Sequence, residues 1–249
     1  MEYDFAIIYF GLTRSIKYTH ETHKKYIFDV LQKENLTYKT FMHTWKPKDD
    51  LQNIRGIVMP EKIDYSEYKL LSPDFYKLDD EVEFLDSINM DNYFYKDVWE
   101  KIGHSHRGEW LPKMVANHVC MLESQKRGLN MVKTSILNGN NYKFIMFIRP
   151  DITIENELNV GTIIPNNHFV HVPNHSHYEG VNDQFAIMNY ENANIYGNRI
   201  NELAEFRKNH GRIVGEKYCK HVLLKNNMKI NMLDFKHSIC RPAIFHGLI

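Results

Sequence analysis

The pattern of apolar positions is most distinctive in the middle of the chain, at residues 142–154 (YKFIMFIRPDITI). Residues 144–148 are all apolar and do not alternate with polar residues. Such a run predicts a strand covered on both faces, as in a parallel sheet packed between helices, although a short buried helix would give the same pattern. The turn residues NGNN at 138–141 favour the strand.

This strand should end at Pro150, because proline has no backbone N–H to donate to a sheet. Its carboxyl end would then carry Arg149 and Asp151. Open α/β sheets bind ligands in the crevice at the carboxyl ends of their strands. We therefore expect Arg149 and Asp151 to belong to a functional site, in preference to the alternative of a plain surface ion pair.

Similar patterns predict further elements along the chain. Strands are expected at residues 4–10, 36–45, 168–172 and 228–235. Helices are expected at about 21–34, at 110–137 with a break at Gly128, at 192–207 and at 216–224. Residues 51–110 give no clear order of elements and are interpreted as specificity loops. The mixture predicts one α/β domain over residues 1–249, with a central, mostly parallel sheet flanked by helices.

The first strand is followed by Gly11-Leu-Thr13-Arg14-Ser15. A glycine here lets the backbone approach a ligand, and Thr13 and Arg14 are donors suited to phosphate. Two interpretations stay open: a nucleotide-binding loop, or an ordinary strand-to-helix turn with a serine or threonine N-cap. The chain contains neither GxGxxG nor GxxxxGK[ST], which argues against dinucleotide dehydrogenases and P-loop enzymes.

Charge and cysteine content narrow the class of protein. Lys and Arg together number 31, as do Asp and Glu, so we expect neither a nucleic-acid partner nor an anionic membrane partner. The three cysteines are widely spaced and form no CxxC, which predicts reduced thiols. The amino-terminal MEYDFAIIYF has acids where a signal peptide has basic residues, and its apolar run is too short to span a membrane. We expect a cytoplasmic protein.

Two histidine pairs offer a different chemistry. His104 and His106, and likewise His175 and His177, are two residues apart, a spacing compatible with zinc. No HExxH occurs and no cysteine or carboxylate completes a zinc signature. Solvated loop histidines are therefore favoured over a histidine-dependent metallohydrolase.

Several short motifs combine with this α/β pattern. They are GLTR at 11–14, SQK at 124–126, FIRPD at 147–151, VNDQFA at 181–186, Glu216 and FHG at 245–247. Together they resemble small nucleotide-sugar glycosyltransferases of the GT-A fold, of the soluble kind encoded by large DNA viruses and bacterial surface-polysaccharide loci. The resemblance implies a GT-A-like, Rossmann-related domain, with a nucleotide-binding part at about 1–155 and an acceptor-side part at about 156–249. The implied reaction moves a sugar from a nucleotide diphosphate sugar to a hydroxyl of a glycan or glycoprotein, in the cytoplasm, of a host cell if the protein is viral.

The resemblance also implies roles for particular residues. In such enzymes an aspartate after the central strand, usually within a DxD motif, binds a divalent metal that clamps the diphosphate. Here Asp151 would bind Mn²⁺ or Mg²⁺, and His246 would reach the metal or the diphosphate. The donor nucleotide would contact Gly11, Thr13, Arg14 and Arg149.

Position 149 departs from this motif, because it is arginine where the usual pair has a second aspartate. A single carboxylate can still hold such an ion when phosphates and waters supply the other oxygens. Alternatively, Arg149 can neutralise phosphate directly as a planar bidentate donor. Both arrangements stay open on the sequence.

Asp183 resembles the acidic residue of the family that faces the acceptor sugar. If the enzyme inverts the anomeric centre, a carboxylate must take the proton of the acceptor hydroxyl, and Asp183 or Glu179 can do so. A retaining enzyme of this fold needs no such base, so the stereochemistry stays open. The other open function is a non-catalytic nucleotide- or carbohydrate-binding protein of the same fold.

Overall fold

The computed structural model of the chain describes residues 1–47, 63–94 and 112–241. The strands are β1 (Glu2–Gly11), β2 (Tyr38–Lys46), β3 (Phe75–Asp80), β4 (Asn141–Ile148), β5 (Ile152–Ile154), β6 (Phe169–Pro173), β7 (Phe185–Met188), β8 (Lys229–Leu233) and β9 (His237–Ile239). The helices are α1 (Ile16–His23), α2 (Asp29–Lys33), α3 (Glu81–Asp86), α4 (Pro112–Leu137), α5 (Val160–Ile163), α6 (Tyr190–Gly197), α7 (Leu203–His210) and α8 (Gly215–Lys225). A π-helical turn, Lys24–Phe28, joins α1 to α2.

The described strands form a seven-stranded sheet in the order β3-β2-β1-β4-β7-β6-β8, and β5 pairs with β9 in a separate ribbon. β7 is antiparallel to both of its neighbours, β4 and β6, whereas the other paired strands of the large sheet are parallel. The predicted α/β fold class, with a central and mostly parallel sheet, is therefore confirmed. β4 lies in the middle of the sheet, as its apolar run predicted.

Apolar cores cover both faces of the sheet. Successive residues of β1 point to opposite sides: Phe5, Ile7 and Tyr9 pack with α1 and α2, and Ala6 and Ile8 pack with residues of α4, α6 and α8. β4 is buried on both sides in the same way. This two-sided burial explains why neither strand alternates between apolar and polar residues.

Gly128 does not break the helix predicted at 110–137, because α4 continues without interruption from Pro112 to Leu137. A Cβ atom at Gly128 would lie 2.4 Å from Cγ2 of Ile8 on β1. The glycine is therefore used for close approach between helix and sheet, not for termination.

Three other expectations need correction. The first helix begins at Ile16, earlier than the predicted start near residue 21. The helix predicted at 192–207 is divided into α6, a 3₁₀ turn (Arg199–Glu202) and α7. The edge strand β3 lies within residues 51–110, for which the sequence indicated specificity loops without a clear order of elements, and all of its residues are partly or fully exposed. Among the described residues, no helix has the length and hydropathy needed to cross a bilayer.

Candidate active site at the carboxyl edge of the sheet

Three segments meet where the parallel strands end. Arg14 follows β1, and Arg149 and Asp151 follow β4. Because β7 is antiparallel to β4, the first residue of β7 pairs with Ile148, the last residue of β4. The Arg149 N–H donates to the carbonyl of Gln184 over 3.2 Å, which holds Asp183 at the same edge.

Asp151 is enclosed by two arginines. Arg149 donates Nε to Oδ1 over 2.8 Å and Nη2 to Oδ2 over 2.7 Å, and Arg14 donates Nη2 to Oδ2 over 2.9 Å. Burial alone would raise the pKa of this carboxyl, but the charges and hydrogen bonds of Arg149 and Arg14 hold it well below its usual range. Asp151 is therefore an anion at any physiological pH, and it fixes two cations that are 137 and 2 residues away in sequence.

The surroundings of Asp151 do not fit a divalent cation. Both carboxylate oxygens already accept hydrogen bonds from guanidinium groups, and the side chain is 1% exposed. Within residues 1–47, 63–94 and 112–241, no group of three His, Cys, Asp or Glu residues could hold a metal ion. His246 lies outside the described residues. The role of Asp151 as a metal ligand stays a prediction, without support from these contacts.

The backbone of the Arg149-Pro150-Asp151 turn is held from both sides. Thr19 on α1 donates Oγ1 to the Pro150 carbonyl over 2.7 Å. The Cys240 N–H, just after β9, donates to the Asp151 carbonyl over 2.8 Å. A turn held by hydrogen bonds on both sides needs little reorganisation when a ligand binds, because its orientation is already set.

Gly11 is held in place by a relay, a hydrogen-bonded chain of the three side chains Ser124, His43 and Asp79. Its φ of +97° lies in the region that favours glycine, and its N–H donates to Ser124 Oγ over 2.9 Å. Ser124 Oγ lies 2.8 Å from Nδ1 of His43, whose Nε2 lies 3.0 Å from Oδ2 of Asp79. Burial lowers the pKa of His43 to about 4 although Asp79 acts to raise it, so His43 is neutral at pH 7.

The Ser124, His43 and Asp79 side chains are connected in the order of a hydrolase triad, but their surroundings indicate that they hold the backbone in place. Ser124 and His43 are fully buried, and the serine oxygen accepts the Gly11 N–H. The relay therefore positions the loop that carries Thr13 and Arg14. Thr13 is 1% exposed, and among the described residues its Oγ1 has no hydrogen-bond partner.

Asp183 belongs to a second buried group of charges. It is 6% exposed and interacts electrostatically with Arg149 and Arg199. Burial raises the pKa of Asp183, and the two arginines offset that rise only in part. Burial and the charge of Asp183 raise the pKa of Glu216, at the start of α8, to about 7. The protonation of each of these two carboxyl groups therefore depends on that of the other.

Arg199 was not predicted from the sequence as a site residue. It is 2% exposed, its Nη1 donates to the Tyr196 carbonyl over 2.7 Å, and its guanidinium carbon lies 3.8 Å from the centre of the Tyr196 ring. The only signal in the sequence is a cation in the otherwise apolar and uncharged stretch 193–200 (ANIYGNRI). His118 on α4 approaches Asp183 but is neutral, because burial and the charge of Arg199 lower its pKa to about 3.

Comparisons with known proteins give a fold neighbour and no sequence relative. No protein-family model matches the chain, and no curated protein matches its sequence. Among solved structures, the crystal structure of mouse xyloside xylosyltransferase 1 in its apo form is similar, with a TM-score of 0.42 and 8% sequence identity over 94% of this chain and 85% of the other. Similarity at this level carries no argument about what the chain does.

Glu179, the other carboxylate considered as a base, does not share the buried setting of Asp183. Its side chain is 78% exposed and forms an ion pair with Lys217.

The nearby histidines His175 and His177 form hydrogen bonds within the loop. His177 Nδ1 accepts the Asn182 N–H over 3.2 Å, and the His175 carbonyl accepts the Asn182 side-chain amide over 3.1 Å. His104 and His106 lie outside the described residues.

Gly180 controls the approach of the Asp183 loop to α8. A Cβ atom at this position would lie 2.0 Å from the backbone carbonyl of Glu216, and the neighbouring Val181 N–H donates to that carbonyl over 2.9 Å. Gly180→Ala should push the loop away from α8, lower the melting temperature by several degrees and reduce turnover, because Asp183 would move with the loop.

Thermal denaturation and turnover measured on the same preparations test this prediction. Gly161→Ala is the matched control, because its added methyl group would meet its nearest neighbouring atom at an acceptable 3.4 Å. Equal melting temperatures and equal turnover for the two variants would show that the loop tolerates displacement.

Proposed function

We propose that the protein is a glycosyltransferase that moves a sugar from a nucleotide diphosphate sugar to a hydroxyl of a glycan or glycoprotein. The observation that carries this proposal is the meeting of Arg14, Arg149 and Asp151 at the carboxyl edge of the sheet, with Asp183 beside Arg149. The first three residues form an electropositive site for phosphate, and the fourth is a buried carboxyl group suited to proton transfer.

Transfer requires stabilisation of the leaving group. As the bond between the anomeric carbon and the diphosphate oxygen breaks, negative charge develops on the nucleoside diphosphate. Guanidinium groups fixed before the reaction stabilise that charge without reorganising during it. Arg14 and Arg149 are suited to this role because Asp151 holds both of them.

Activation of the acceptor requires a base. As the acceptor oxygen attacks the anomeric carbon, its hydroxyl proton passes to the carboxylate of Asp183, and the diphosphate departs. A pKa raised by burial makes Asp183 a stronger base than an exposed aspartate, and the cations of Arg199 and Arg149 favour its ionised form. Attack assisted by a carboxylate in this way belongs to an inverting mechanism, which we include in the proposal.

A panel of nucleotide diphosphate sugars tests the proposal. Purified protein is incubated with each donor, with and without Mn²⁺, and the released nucleoside diphosphate is quantified. We expect release with one donor class and a raised melting temperature with the same nucleotide, since a ligand at about 100 times its Kd stabilises by ~2.7 kcal/mol. No release and no thermal shift with any donor would overturn the proposal, and a shift without release would indicate a binding protein.

A further inference from the structure

We infer that this chain holds the diphosphate of its donor directly with Arg14 and Arg149, and that binding does not require a divalent cation. The inference rests on the proposed function, since it concerns the same site. It follows from the charge, the accessibility and the remaining hydrogen-bonding capacity of the arginine pair.

The charges of the site favour an anion over a cation. Two guanidinium groups share the carboxylate of Asp151, and together with Arg199 the three arginines outnumber the two carboxyl groups of Asp151 and Asp183. A third buried cation, Arg199, interacts with Asp183 beside the pair. A divalent cation at Asp151 would face the repulsion of both guanidinium groups, whereas a diphosphate would meet attraction from both.

The solvent exposure of the side chains also favours an anion over a cation. The side chains of Arg14 and Arg149 are 16% and 20% exposed, while Asp151 behind them is 1% exposed. An incoming anion therefore contacts the guanidinium groups first. The carboxylate is a positioning group in this arrangement, because it sets the orientation of both arginines without facing the ligand.

The arginines keep unused donors. Arg149 donates Nε and Nη2 to Asp151, and within the described residues its Nη1 contacts only the Met121 sulfur, at 4.0 Å. Arg14 spends Nη2, and in the described part of the chain its buried Nε has no hydrogen-bond partner. The Oγ1 of Thr13, one residue before Arg14, is also buried and unpaired among the described residues. Buried donors without partners cost free energy until a ligand satisfies them, and phosphate oxygens are suitable acceptors for all three groups.

Calorimetric titration with metal control tests the inference. Wild-type protein is titrated with ADP, CDP, GDP, UDP and inorganic pyrophosphate, first in excess EDTA and then with Mn²⁺. We expect the best of these probes to bind in EDTA with an affinity within about threefold of that in Mn²⁺. Each of Arg14→Met and Arg149→Met should weaken that binding by ~10- to 100-fold, the range for charge-assisted hydrogen bonds.

Lys143→Met is the matched control, because Lys143 is also paired with a carboxylate, Asp4 at 2.7 Å, but lies near the opposite end of β4. Its diphosphate affinity should equal that of the wild type. Asp151→Asn further distinguishes direct binding by the arginines from binding through a metal at Asp151. This variant should retain diphosphate binding in EDTA within about tenfold, since both cations remain. If the asparagine variant fails to fold in circular dichroism, the wild-type comparison in EDTA and Mn²⁺ decides.

The outcomes are distinguishable. Binding that appears only with Mn²⁺, falling more than about 100-fold in EDTA, overturns the inference and leaves the proposed glycosyltransferase function standing. No binding of any nucleoside diphosphate with or without Mn²⁺ contradicts the proposed function itself. Equal affinity of the arginine variants and the wild type would place the diphosphate elsewhere and overturn the inference.

Discussion

Acidification from pH 7 to pH 5 should cost the protein much of its stability, because four of the five histidines that are buried in the described part of the chain have strongly lowered pKa values and are neutral in the folded protein. Burial, the largest influence on each of them, lowers the pKa of His23 and His43 to about 4 and that of His118 and His237 to about 3. In the unfolded chain each would titrate near its ordinary value of about 6.5.

The direction of the effect follows from proton binding. Between the folded and unfolded pKa values, the unfolded chain binds more protons than the folded one, so the free energy of unfolding falls as the pH falls. At pH 5 each histidine accounts for a loss of about 2 kcal/mol, and four would account for about 8 kcal/mol. Typical domains have a total stability of only about 5–15 kcal/mol.

Glu216 acts in the opposite direction. Its raised pKa of about 7 means that its protonation favours the folded state, and this contribution is lost as the pH rises through 7. Asp183, whose pKa burial also raises, acts in the same direction as Glu216, but two carboxyl groups do not offset four histidines, so the net effect of acid is destabilising.

Urea unfolding at pH 8, 7, 6 and 5 measures this effect. We expect the unfolding midpoint to fall steeply below pH 6.5. His118→Gln should flatten the pH dependence by about 2 kcal/mol between pH 7 and 5, relative to its own value at pH 8. His168→Gln, at an exposed position, is the control. A midpoint that stays constant from pH 8 to pH 5 would show that these histidines are solvated in solution.

Asp183→Asn should lower turnover by ~10²–10⁴-fold while diphosphate affinity stays at or above that of the wild type. The substitution removes the proposed base but keeps the shape of the side chain. It also removes a negative charge beside Arg149 and Arg199, which can only favour an anionic ligand. Turnover and diphosphate affinity must therefore be measured separately.

Glu179→Gln provides the matched control, because Glu179 is an exposed carboxylate in the same loop and pairs with Lys217. It should leave turnover unchanged. Near-normal turnover of folded Asp183→Asn would exclude Asp183 as the base, and loss of diphosphate binding would assign it to the nucleotide side of the site.

The pH profile of turnover tests the proposed role of Asp183 as the base independently of the Asp183→Asn variant. Wild-type turnover should rise with pH as Asp183 loses its proton, at a pH above that of an ordinary aspartate, because burial raises the pKa of Asp183. Glu216→Gln removes the neighbouring negative charge, so the rise should move to lower pH. An unchanged profile in this variant would separate Glu216 from the base.

The central strand and the position of the site could be predicted from sequence because their signals are local. The apolar run at 144–148 and the proline after it determine where β4 lies and where it ends. The edge at which Arg149 and Asp151 lie follows from that strand alone. The residue types after β1 likewise indicated a phosphate-compatible loop.

The features that sequence reasoning missed depend on distant partners. Gly128 reads as a helix break until its contact with Ile8 is known. In the sequence, Arg199 has the appearance of a surface cation. In the structure it is buried among residues of α6, α8 and the Asp183 loop. The engagement of Asp151 by Arg14 spans 137 residues, and no local pattern reports it.

Cys240 ties together parts of the chain that are synthesised at very different times. Its N–H donates to the Asp151 carbonyl, and its carbonyl accepts the Ser15 hydroxyl over 3.1 Å. At a translation rate of about 5–20 residues per second, these two partners leave the ribosome many seconds before residue 240 does. The large sheet can be complete at β8, and Arg14 and Thr19 can already bond to the Asp151 turn, whereas the two hydrogen bonds of Cys240 form only afterwards. The candidate site thus gains part of its backbone support after the sheet, and a nascent chain arrested after β8 would carry the sheet with the Asp151 turn held on the Thr19 side alone.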